Sequence, residues 1–169
     1  MRTRRPFTLV ELLIVCAIIL SLMALLAPAL GRAKEKARTV STTTRMGTLQ
    51  SALTAYIASY GGPPPHAARS DALLSPEQYA DMIDVLAGNN GRGIHFLYPN
   101  DPVAKTYRDG WARDFRVAFD YNGDAIVDDI AIYGSASLKA SLAIWSTGPD
   151  GRDNPIDAHP SNDDNITLW

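Results

Sequence analysis

The sequence predicts an α+β protein: one long N-terminal helix, transmembrane in its first half, packed on a small antiparallel sheet. Three observations carry this. Leu12 to Leu30 run for nineteen positions without a charge, close to the ~20 apolar residues a helix needs to cross a bilayer. Apolar residues then recur at three- and four-residue spacing as far as Tyr60, which marks one face of a helix. Further along, short stretches alternate apolar and polar side chains as strands do.

Arg2, Arg4 and Arg5 open the chain, and Pro6 and Phe7 lead into the apolar run. A secretory signal peptide would open in the same way, with Ala27-Pro28-Ala29 as its small-residue cleavage site. Two features count against it. The run is longer than the usual apolar core of about 7–15 residues. Glu11 also stands just inside its leading edge, where a charge is costly and therefore commonly functional. A buried core helix is disfavoured because no other segment is apolar enough to enclose a helix greasy on every side. Basic residues flank the span on both sides (Arg32, Lys34, Lys36 and Arg38 follow it), so the positive-inside rule is nearly a draw.

The pattern continues past Leu30 through Ala33, Ala37 and Val40 to Met46, Leu49, Leu53, Tyr56, Ile57 and Tyr60. Gly61, Gly62 and Pro63-Pro64-Pro65 end it. The reading is a single helix roughly 80 Å long at 1.5 Å per residue. Pro28 removes one backbone hydrogen bond and is expected to kink or loosen it locally. Ser75-Pro76-Glu77 then carries the signals of a helix start, a capping serine followed by proline at the first helical position. Tyr79, Met82, Ile83 and Leu86 give that helix an apolar face, and Gly88-Asn89-Asn90-Gly91 stops it. Phe115, Val117 and Phe119 alternate with polar residues, and Asp129 to Tyr133 and Leu142 to Trp145 are the expected partner strands. The last twenty residues read as loop, rich in Asp, Asn, Gly and Pro.

Charge divides the chain. Residues 1–60 hold eight Lys/Arg against two Glu, and residues 61–169 hold eight Lys/Arg against sixteen Asp/Glu. A basic apolar head followed by an acidic body implies two environments. The acidic body argues against nucleic-acid binding, which favours a basic face. The one cysteine, Cys16, rules out an intramolecular disulfide. His66, His95 and His159 lack metal-ligand spacing. No phosphate loop and no grouped nucleophile, base and acid emerge, so no catalytic residue is assigned and the chain is read as a non-enzyme.

Phe7-Thr8-Leu9-Val10-Glu11-Leu12-Leu13 resembles the N-terminal processing and assembly motif of type IV prepilins and of the pseudopilins of type II secretion. The resemblance implies a basic leader, residues 1–6, removed by a prepilin peptidase, with Phe7 as the methylated first residue. It also implies a transmembrane half-helix over 7–30, an amphipathic half over 31–60 and a globular head over 61–169. The orientation follows: single-pass in the inner membrane, leader inside, head in the periplasm. Glu11 would pair with the freed α-amino group of a neighbouring subunit and so set the stagger between subunits. The family pattern has glycine before the cut where this chain has Pro6, which lacks an N–H. Processing is therefore expected to slow or fail, while helix formation and membrane insertion are unaffected.

Trp145-Ser146-Thr147-Gly148-Pro149-Asp150-Gly151, with Asp163-Asp164-Asn165-Ile166 and Trp169, is similar to the calcium loop of major pseudopilins. The resemblance implies one Ca²⁺ held by Asp150 and by Asp163 or Asp164, with backbone carbonyls from the turn. Asp120-Tyr121-Asn122-Gly123-Asp124 through Asp128 follows part of an EF-hand pattern. It has Ala125 at the glycine position and Ala131 at the bidentate acid position, so a polar turn is expected there. The function these features imply is that of a structural subunit of a type II secretion pseudopilus, a helical fibre of copies of this chain with other pseudopilins, supporting protein export. The alternatives are a type IV pilus subunit serving motility, adhesion or DNA uptake, and a secreted calcium-binding protein released after Ala29.

Overall fold

The computed structural model describes residues 8–65, 73–101, 106–127, 138–153 and 162–168. The elements in chain order are α1 (Leu9–Tyr60), α2 (Pro76–Leu86), β1 (Arg116–Phe119), β2 (Leu142–Ser146) and β3 (Ile166–Thr167). The chain divides into two compact units, Met1–Ala37 and Arg38–Trp169, and α1 contributes to both.

In the first unit α1 is the described element. Its most apolar 18-residue window has a mean hydropathy of 2.9 and none of it is buried. Leu12, Leu13, Ile14, Ile18, Leu20, Leu22, Met23 and Leu26 are all exposed. It is the one helix among the described residues long and apolar enough to cross a membrane. The helix runs through Pro28 without interruption, as the period of the flanking apolar residues requires.

In the second unit the same helix changes character. Met46, Leu49, Leu53 and Tyr56 are buried, as their spacing predicts. They join Tyr79, Met82, Ile83 and Leu86 of α2 and Val117, Phe119 and Ile144 of the sheet in one apolar core. On the exposed face, the hydroxyls of Thr43, Thr44, Thr48, Ser51 and Thr54 each donate to the carbonyl four residues back, at 2.8 to 3.2 Å. Gly61 ends the helix in a left-handed conformation (φ 79°), its N–H donating to the Ile57 carbonyl at 2.7 Å.

α2 starts as its sequence predicts. The Ser75 hydroxyl accepts from the Gln78 N–H at 3.2 Å, and the Gln78 side chain accepts from the Ser75 N–H at 2.8 Å, a reciprocal capping box with Pro76 inside it. Such a cap is worth about 1 kcal/mol.

The sheet is antiparallel in the order β1-β2-β3, with Val117 opposite Ile144 and Trp145 opposite Thr167. Alternation sends Val117, Phe119 and Ile144 to the helical core, while Ala118, Ala143 and Trp145 form a second cluster with Val127 on the other face. The sheet is thus covered on both sides, which the sequence does not announce for strands this short. The expected strand at 129–133 lies outside the described residues. β3 overturns the expectation that the C-terminal segment is loop throughout. Its two β-branched residues pair with Trp145 and Ser146, and Ile166 and Leu168 pack on the core. Two residues are too few to show an alternating pattern.

Candidate functional site

Two places carry the sequence-predicted functional residues, and each belongs to its own unit. At the start of α1, Pro6 and Phe7 lie outside the described residues. Glu11 is exposed in the first turn. Its Oε2 accepts from the Thr8 N–H at 2.8 Å and from the Thr8 hydroxyl at 2.9 Å, while the Thr8 hydroxyl accepts from the Glu11 N–H at 3.3 Å. This is a capping box, Thr8 at the cap and Glu11 three residues on. Glu11 therefore has a local task, satisfying the Thr8 amide, a donor that the helix itself leaves unpaired. The Thr-x-x-Glu spacing carries that signal, and the sequence reading passed over it in favour of an intersubunit role.

The second place is the turn after β2, where it meets the residues before β3. The structure brings Asp150 and Asp164 together: Asp164 Oδ2 accepts from the Asp150 N–H at 3.1 Å. Asp150 Oδ1 accepts from the Arg152 N–H at 2.8 Å. Asp163 is exposed in the adjoining turn. Gly148, with φ 61°, packs so closely against the Asp164 carbonyl that a Cβ there would collide with it. Only glycine fits both the backbone and the space.

What organises this turn comes from elsewhere in the chain. Asp109 is 2% exposed. Its Oδ1 accepts from the Trp111 and Arg113 N–H groups, both at 2.8 Å, and its Oδ2 accepts from the Ser146 hydroxyl at 2.7 Å. Ser146 Oγ in turn accepts from the Gly148 N–H at 3.2 Å. Arg113 reaches over the turn, its guanidinium donating to the Gly148 carbonyl and, at 3.1 Å, to the Pro149 carbonyl. A Cβ at Gly151 would strike that guanidinium. The loop bearing Asp109 is itself tied to α1. Gly110 N–H donates to the Thr42 hydroxyl at 2.9 Å, and Arg45 donates to the Arg108 and Asp109 carbonyls at 3.0 and 2.8 Å. Neither Asp109 nor Arg113 stands out in the sequence as part of this turn, because their partners in the turn lie 35 to 37 residues away.

The donor set for a metal can be tested on this geometry. Calcium takes about 6–8 oxygens. Among the described residues no three His, Cys, Asp or Glu side chains come together in a way that could hold a metal ion. The Gly148 and Pro149 carbonyls already accept from Arg113, and one oxygen each of Asp150 and Asp164 accepts from a backbone N–H. Among the described residues the turn thus holds two of the three expected acidic side chains, Asp150 and Asp164, joined through one backbone N–H.

The Asp120 stretch is the polar turn its sequence suggests. Asp120 accepts from the Gly123 and Ala125 N–H groups, Asn122 from the Asp124 N–H, and Asp124 from the Ile126 N–H. His95 stacks on Tyr98 with 5.8 Å between ring centroids, and His66 and His159 lie outside the described residues.

Residues 1–27 match the family described as the prokaryotic N-terminal methylation motif. No curated protein and no solved structure matches the chain. A methylation motif over residues 1–27, overlapping the start of a 52-residue helix whose apolar part is exposed, is consistent with a type IV pilin-like protein.

Proposed function

We propose that this chain is a structural subunit of a type II secretion pseudopilus, held in the inner membrane by α1 with its head in the periplasm until it enters the fibre. The observation that carries the reading is the apolar part of α1 behind the methylation motif. Among the described side chains from Leu12 to Leu30 the large ones are exposed around the helix. Lipid covers such a surface before assembly, and equivalent helices cover it in a fibre. The motif implies processing by a prepilin peptidase and assembly into pilus-like polymers. The choice of pseudopilus over pilus is supported by the single cysteine, which leaves the head without an intramolecular disulfide.

A deletion strain tests the reading. Export of folded proteins across the outer membrane should stop, while surface pili, twitching and DNA uptake persist. Loss of pili with intact export would replace the pseudopilus with a type IV pilus. Recovery of the intact chain as a soluble monomer without detergent would remove both.

A further inference from the structure

The turn at 147–151 and the residues at 162–165 form an acidic region, with Asp150, Asp163 and Asp164 close in the chain or in space. Carboxylates gathered in one region repel one another unless a cation intervenes. The fold brings one to the turn, bonded to its carbonyls. Arg113 sends two guanidinium nitrogens to two consecutive carbonyls, Gly148 and Pro149, and Gly151 has no side chain where the guanidinium passes. A guanidinium is suited to this because its N–H donors lie in one plane and it stays charged at every accessible pH.

We infer that Arg113 closes this turn with its own positive charge, through the Gly148 and Pro149 carbonyls, so that the order of the turn does not depend on calcium. Asp109 positions the arginine. One buried carboxylate holds the Arg113 N–H on one side and the Ser146 hydroxyl on the other, and Ser146 accepts from Gly148. The arm that delivers the cation and the turn that receives it are fixed by the same group. The acidic side chains nearest the turn are engaged as well: Asp164 with the Asp150 N–H, Asp150 with the Arg152 N–H, and Asp153 with Arg116 at 3.2 Å. The inference stands whether the fibre serves export or motility, because it concerns the head alone.

The test uses the full-length chain in detergent micelles. Calorimetric titration with millimolar CaCl₂ should show no binding. Limited proteolysis between residues 146 and 168 should proceed at the same rate with CaCl₂ as with EGTA. Arg113→Gln should speed that cleavage about tenfold or more, as expected from losing a charge-assisted pair of hydrogen bonds. Arg113→Lys, which keeps the charge but not the planar fork, should fall between the two. Calcium binding by the wild type, or calcium-dependent protection of its C-terminal segment, overturns the inference. So does wild-type cleavage in Arg113→Gln. If that variant does not accumulate, the calcium measurements on the wild type decide the matter alone.

Discussion

At Tyr79 a phenol is held 4% exposed in the core, its hydroxyl donating to the Tyr107 carbonyl at 2.6 Å. Burial disfavours the phenolate and pushes its pKa well above the ordinary tyrosine value of about 10. Tyr107, whose hydroxyl donates to the Arg45 carbonyl at 3.0 Å, is raised by burial in the same direction. The sign follows from linkage. The fold favours the neutral form, so this stability is fully present below the unfolded pKa and is lost as pH rises above about 10. Denaturant unfolding at pH 8 and pH 11 should show that loss. Tyr79→Phe should cost about 1–3 kcal/mol at pH 8, because the Tyr107 carbonyl is left buried without its donor. The same variant should lose less between the two pH values. An unchanged alkaline slope would exclude Tyr79 as its source.

The first turn of α1 gives Glu11 two tasks that two substitutions separate. Gln serves as well as Glu at the third position of a capping box, so Glu11→Gln keeps the acceptor for Thr8 and removes only the charge. Glu11→Ala removes both. If the carboxylate also pairs with a neighbour's terminal amine, either change leaves an uncompensated charge in an apolar bundle, about 3–5 kcal/mol when a buried pair is broken. Fibre yield should then fall more than roughly tenfold in both. Normal fibres from Glu11→Gln with none from Glu11→Ala would reduce Glu11 to a helix cap. The helices were legible in the sequence because their signals are local: a repeating apolar face, Ser75 with Pro76, and the glycines past each end. Leu142 to Trp145 and the Phe115 to Phe119 alternation located β2 and β1 for the same reason. β3 escaped because two residues carry no period. The Asp109–Ser146–Arg113 network escaped because the bonds that join the 109–113 loop to the 146–149 turn span 35 to 37 residues. Long-range hydrogen bonds are decided by the fold.

The chain is two compact units that differ in how they treat their apolar residues. Buried core residues begin just after the division at Arg38, with Thr42 and Met46 fully buried, while the described apolar residues before it are exposed. A chain starting at Arg38 should therefore be recovered without detergent and unfold in one cooperative transition, whereas the full chain should resist carbonate extraction and need detergent. Aggregation of the shorter chain would show that the head needs residues upstream of Arg38 for its core.

The row of hydroxyls on the exposed face of α1 has a consequence for whatever touches it. Each of Thr43, Thr44, Thr48, Ser51 and Thr54 has a single hydroxyl proton, and that proton points inward to a carbonyl of its own helix. Only lone pairs remain to face outward. Polar as they look in composition, these five hydroxyls offer acceptors without donors. A surface that meets these hydroxyls through hydrogen bonds must bring the protons, from amides, ammonium or guanidinium groups, and a carboxylate gains no proton from any of the five.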